Sequence, residues 1–245
     1  MERPRINLII FIFICFTLNL HGSYRSEVYS AFISNNMQNW KSVIDRMSAS
    51  SPKTDELLLE LVNYQYGYIA WCLGNKKSDE ARKYLNLAEK NLDVLSLNRK
   101  NTSLINSYKS AFYGYKIGLN KIMAPFLGPK SLDCARLAVS TDKENPFGYV
   151  QLGNIQFYMP AAFGGSKKEA LDYYLTALSL MEKNDKDKSE NWNYLSLLTI
   201  IAQSYYYVGD YQSSISFMEK IMKLEPGYGW IKNELYPKVL NKMKG

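Results

Sequence analysis

Histidine is almost missing from this chain of 245 residues: His21 is the only one. Cysteine is nearly as scarce, with Cys15, Cys72 and Cys134 as its three copies and no CxxC pair. No HExxH, GxSxG or GxGxxG motif occurs. If His21 is removed by processing, there is no Ser–His or Cys–His couple, no imidazole metal site and no side-chain base that ordinarily titrates near neutral pH. Gly128-Pro129-Lys130-Ser131 is not the end of a nucleotide-binding loop. Pro129 separates glycine from lysine, and no glycine stands five residues before Gly128. Segregated charge is missing too. The net charge is +7, but lysines are interleaved with acids (Lys76, Lys77, Asp79 and Glu80; Lys167, Lys168 and Glu169), as on a solvated helix face rather than a nucleic-acid stripe. Alternation of period two is absent, which argues against strands.

One apolar run stands out. It extends from Ile6 to Leu20, follows Arg3 and Arg5, and ends in His21, Gly22 and Ser23. A basic start, a short apolar stretch and small residues at its end are the pattern of a secretory signal. The run is shorter than the roughly 20 apolar residues of a spanning helix. Residues 1–23 are therefore expected to be a signal peptide, and residues 24–245 a single mature domain, periplasmic or secreted. Cleavage near Gly22 or Ser23 would remove the one histidine. Ile14 before Cys15 does not fit a lipoprotein box, and membrane contact is expected only through an uncleaved signal. Cys72 and Cys134 are expected to be free thiols.

Tyrosine is abundant, at 20 copies, and small residues recur at helical spacing. The segment Leu195 to Gly227 reads as an apolar helix to Tyr207, a Gly209-Asp210 turn, and a second helix from Tyr211 to Leu224 stopped by Pro226. Ala202, Tyr205, Gly209, Tyr211 and Pro226 give it a resemblance to a tetratricopeptide repeat, whose period is about 34 residues. Ser214, Met218 and Ile221 depart from that pattern, and the bulk of Ile221 predicts looser packing. A second unit, Asn145 to Lys183, carries Leu152-Gly153, Ala170, Tyr174 and Ala177. A third, Leu59 to Leu95, carries Tyr66-Gly67, Gly74, Ala81, Leu85 and Ala88. A divergent fourth, Thr102 to Asp142, keeps Ala135 and Ala138. Tyr24–Ser34 with Met37–Ala49 reads as a short first hairpin, and Trp230 to Lys244 as a capping helix. The fold expected from this resemblance is all-α: a right-handed solenoid of four to five hairpins with a C-terminal cap.

Carried over by register, the resemblance implies a concave groove formed by Tyr64, Tyr68 and Trp71, by Asn154, Phe157 and Tyr158, and by Gln203, Tyr206 and Tyr207. Such aromatics suit a peptide, a helix or a flat apolar ligand. A second candidate is the loop edge with Pro160, Phe163, Gly164, Gly165 and Lys167, where proline ends a helix, phenylalanine plugs the edge and glycine turns the chain. Ser166 and Glu169 there form an expected capping box. Free N–H groups at that helix start offer an anion or partner site. Met123 to Lys130 reads as a second loop of the same kind. Asp172, Glu182, Asp185 and Asp187 lie in charged, solvated stretches.

The chain is thus expected to be a non-catalytic interaction module that binds a protein or peptide, with no cofactor, metal or nucleic acid. The alternative is a small-molecule-binding or transporter-accessory protein. The Gly-Gly-Ser loop gives the chain a weaker similarity to tetratricopeptide components associated with periplasmic substrate-binding transporters.

Overall fold

The computed structural model describes residues 24–98, 100–184 and 188–244. The signal-peptide reading of residues 1–23 and the acids Asp185 and Asp187 lie outside them. Every regular element among the described residues is helical. Helix α1 covers residues 24–33, followed by α2 (Met37–Ala49), α3 (Asp55–Gly74), α4 (Ser78–Leu97), α5 (Thr102–Leu119) and α6 (Ala124–Thr141). Then come α7 (Pro146–Tyr158), α8 (Lys167–Met181), α9 (Trp192–Val208) and α10 (Tyr211–Leu224). A π-helical turn, Ile231–Leu235, leads into α11 (Tyr236–Lys244).

Consecutive helices pair as hairpins where the repeat pattern puts them: α3 with α4, α5 with α6, α7 with α8, and α9 with α10. Local chemistry sets the helix starts. Thr54, Ser166 and Asp210 each accept a hydrogen bond from the backbone N–H three residues on, and Asn145 and Asn191 from the N–H two residues on. Small residues set the spacing. Ala81, Ala88, Ala135, Ala138, Ala170, Ala177 and Ala202 are completely buried. Gly67 and Gly153 permit the closest approaches: a Cβ on Gly67 would lie 2.6 Å from the Trp40 ring, and one on Gly153 would lie 2.5 Å from the Tyr174 ring. Packing at the irregular unit is not loose. Met218 and Ile221 are fully buried, and the buried Ser214 hydroxyl donates to the Ala202 carbonyl at 2.7 Å.

Met123 to Lys130 is not a loop. A single 3-10 turn, Lys121–Met123, runs directly into α6, which contains both Pro125 and Pro129.

Helix α1 meets the C-terminal part of the chain. Arg25 Nε donates to the Glu190 carbonyl at 3.1 Å, and the Tyr29 hydroxyl to Glu225 at 2.5 Å. Phe32 lies between Trp40, Trp192 and Tyr228, with ring centroids 6.1, 6.0 and 5.2 Å away. Trp40 and Trp192 are 5.0 Å apart, and Asn193 bonds Asn63 at 3.1 Å. Trp192, from α9, thereby belongs to the core built by α1 to α5. Tyr29 and Phe32 pack against both that core and the C-terminal one.

Candidate functional site

The proposed groove divides into a buried part and an open part. Tyr64 and Tyr68 are core residues, at 3% and 2% exposure. The Tyr64 hydroxyl donates to Glu60, and its backbone carbonyl accepts from Trp40 Nε1 at 3.0 Å. The Tyr68 hydroxyl donates to Glu80 at 2.8 Å. Burial and then the neighbouring carboxylates push both phenols well above the usual tyrosine range. Trp71, half-buried, stacks on Tyr68 and carries the Lys77 ammonium 4.6 Å over its ring. Tyr64 ties α3 to Trp40 of α2 and Tyr68 ties it to Glu80 of α4, so both serve the core rather than a groove.

The open part lies at the C-terminal ends of α7 and α9. Tyr158 is 72% exposed and Tyr207 is 56% exposed. Phe157, buried between them, has its centroid 5.0 Å from Tyr158 and 5.5 Å from Tyr207. Tyr206, half-buried, packs 5.4 Å from Tyr207. Lys167 belongs to the same cluster. Its Nζ donates to the Phe157 carbonyl and lies 3.7 Å from the Phe157 centroid and 5.5 Å from that of Tyr207. Burial holds its ammonium pKa below the ordinary lysine value. Gln203, Tyr206 and Tyr207 also line a recess of ≈160 Å³ with Trp230, Glu234 and Lys238, and Lys238 sits 5.2 Å over the Tyr206 ring.

Tyr158 combines an open side chain with a desolvated hydroxyl. Burial raises its phenol pKa, and the Tyr66 and Tyr207 phenols add to the rise. Its ring packs on Phe157, and the Tyr66 and Tyr207 phenols are its charged-state neighbours. Behind it lies a buried cluster in which Asn154 is a groove candidate, while Tyr66, Tyr115 and Gln151 are not. Tyr66 and Tyr115 stack at 5.5 Å, and the Tyr115 hydroxyl donates to the Tyr66 carbonyl at 3.1 Å. Burial raises the Tyr66 phenol pKa, against opposing hydrogen bonds from Gln151, Tyr115 and Asn154. Asn154 accepts from the Tyr174 hydroxyl at 2.9 Å and donates to Gln151 at 3.2 Å. Gln151 is buried beside them, at 2% exposure. Tyr66 reads in the sequence only as a repeat position beside Gly67, because it is two residues from both Tyr64 and Tyr68, about 200° round the helix. The pairing of Gly67 with two tryptophans is the clue that fixes the register.

The loop edge differs from expectation in two respects. Phe163 plugs nothing, being 78% exposed. The capping box is half-formed: Ser166 Oγ accepts from the Glu169 N–H at 3.2 Å, but the Ser166 N–H goes to Gln156 rather than to Glu169. The N–H groups of Phe163, Gly164 and Gly165 bond carbonyls of Pro160 and Ala161. Gly164 adopts φ +92°, and a Cβ on Gly165 would fall 1.9 Å from the Met159 oxygen. The loop's own N–H groups are thus bonded within it.

Among the described residues no cluster of His, Cys, Asp and Glu is placed to hold a metal ion. Cys72 and Cys134 are free thiols, and burial pushes the Cys72 thiol up to about 11.

No family model and no characterised protein matches the sequence. Among solved structures, the chain is similar to the HusA haemophore from Porphyromonas gingivalis. The TM-score is 0.57 at 17% identity, over 74% of this chain and 92% of that one. At this identity the likeness establishes a shared all-helical fold.

Proposed function

We propose that this chain is an exported binding protein, built of tetratricopeptide-type hairpins in a right-handed array, that carries a flat conjugated small molecule with acidic substituents. The observation that carries this reading is the pair of open rings, Tyr158 and Tyr207, flanking the desolvated Lys167 ammonium. Two ring faces offer a stacking platform, and the cation offers a partner for a carboxylate. A peptide or protein partner laid along the whole groove is supported less well. It needs contacts from successive hairpins, and Tyr64 and Tyr68 are buried and bonded elsewhere. The remaining patch spans only a few rings, which suits a compact ligand. The similar structure is named a haemophore, which makes a tetrapyrrole the first ligand to test. It would be cargo rather than a resident cofactor.

The test is a titration of haem and of metal-free protoporphyrin into the chain, followed by absorbance and by quenching of aromatic fluorescence. Losing two ring contacts of about 0.5–1.5 kcal/mol each predicts a Kd weaker by roughly fivefold to 150-fold for the Tyr158→Ala/Tyr207→Ala double variant. Its melting temperature should not change. Lys167→Gln should weaken binding of the free acid but not of the esterified porphyrin. Absence of binding, with capture of a peptide that depends on Tyr207, would turn the assignment to the peptide reading.

A further inference from the structure

The turns inside the hairpins emerge at one end of the molecule, because the first helices run side by side. A Cβ on Gly118 near the end of α5 would lie 3.7 Å from Leu73 near the end of α3, and Phe157 at the end of α7 meets Tyr207 at the end of α9. Helices α5 and α7 also pack along each other. Two of these turns project large apolar side chains into solvent. Ile122 and Phe126 are 79% and 67% exposed, and Phe163 is 78% exposed. Lysines surround them: Lys121 and Lys130 beside the first pair, Lys168 beside the second, all exposed. In and beside the turns at this end Lys76, Lys77, Lys121, Lys130, Lys167 and Lys168 outnumber the acids Asp79, Glu80, Glu169 and Asp210, and residues 116–132, around Ile122 and Phe126, hold no acid. The opposite end is mixed in sign, with Asp55, Glu56, Asp142, Lys143, Glu144 and Glu225 in or beside its connections.

We propose that this basic end docks on an anionic lipid surface, with Ile122, Phe126 and Phe163 entering the headgroup layer and Lys121, Lys130 and Lys168 engaging lipid phosphates. Isolated side chains on separate turns fit a fluid interface, which closes around each one. A protein partner would need a contiguous, close-packed apolar centre. Rings among cations are the composition that interfacial binding uses, and the charge difference between the two ends orients the molecule. The rim formed by Tyr158 and Tyr207 lies at this same end, although the docking argument does not use it.

The test places an environment-sensitive fluorophore on the full chain at Phe163→Cys, or at Lys143→Cys on the opposite end, with Cys15 and Cys134 replaced by serine. Vesicles containing phosphatidylglycerol should blue-shift the probe at 163 and leave the probe at 143 unchanged. Pure phosphatidylcholine should shift neither. A retained apolar segment at residues 6–20 would tether the chain without producing that difference. Replacing Lys121, Lys130 and Lys168 with glutamine should weaken vesicle affinity about a hundredfold, from roughly fivefold per lysine. Phe126→Ser should reduce the shift at 163. Equal shifts at 143 and 163, no shift at 163, or unchanged affinity of the triple lysine variant would each overturn the proposal. A shift at 163 produced by an acidic protein but by no vesicle would overturn it in favour of a protein partner.

Discussion

A methyl group at position 153 would sit 2.5 Å from the ring of Tyr174, whose side chain is completely buried. Neither α7 nor α8 can give way cheaply, so Gly153→Ala should destabilise the fold by about 1–3 kcal/mol, read as a lower denaturant midpoint at constant m-value. Glu182 gives a pH-dependent prediction. Burial alone would raise its pKa, but hydrogen bonds from Lys220 at 2.7 Å and Tyr194 at 2.9 Å outweigh burial and hold it below the ordinary glutamate value. A lowered folded pKa means that this contribution is fully present above the unfolded value of 4.5 and is lost as the pH falls through the folded one. Both side chains of the pair are more than a third exposed, so the effect is small, below about 1 kcal/mol. Glu182→Gln should flatten that part of the stability–pH curve, measured by melting at graded pH. At this scale the sequence revealed the small residues well, because Gly67, Gly153 and the alanines follow from close packing. It misassigned Tyr64 and Tyr68, because a tyrosine can serve a core or a groove equally, and only the neighbouring carboxylates, far apart along the chain or one turn away, decide which.

Helix starts were the most legible elements, since a cap is a local bond between residues two or three apart. Ser166→Ala removes the acceptor for the Glu169 N–H and should cost about 1 kcal/mol. Gly209 ends α9 in the left-handed region at φ +86°, so Gly209→Ala adds strain of about 1 kcal/mol with no clash to relieve. Chemical denaturation checks both. The α6 start was misread for an instructive reason. Pro125 and Pro129 look like helix breakers, but Pro125 sits in the first turn, where its missing N–H has no intrahelical partner to lose. Pro129 forfeits one bond, to the carbonyl four residues earlier, and the helix continues through Ala135 and Ala138, which pack against α5. Tertiary burial outweighs a single lost hydrogen bond, and a local reading of the sequence contains no measure of that burial.

In an open array each hairpin touches only its neighbours, and damage to one stays local. Here Phe32 on α1 contacts Trp40 on α2, Trp192 on α9 and Tyr228 before the final helix. Phe32→Ala should therefore lower hydrogen-exchange protection in α9 and α11 as well as in α2, while an equivalent change in a terminal hairpin of an open solenoid would not reach so far. No periodicity in the sequence announces this closure, because it joins residues more than 150 positions apart and depends on how the hairpins wind. The cluster of Tyr66, Tyr115 and Gln151 was hidden for the same reason: three first helices supply it.

Closure also restricts how such a chain can change over generations. Open arrays lengthen or shorten by duplicating or losing a repeat, since one more unit only extends a stack. In this chain an added hairpin would carry Trp192 and Tyr228 away from Phe32 and strand the Arg25 and Tyr29 side chains from Glu190 and Glu225. The number of hairpins is fixed by its own joint, and variation is left to side chains on the open rim and to the turns at the basic end.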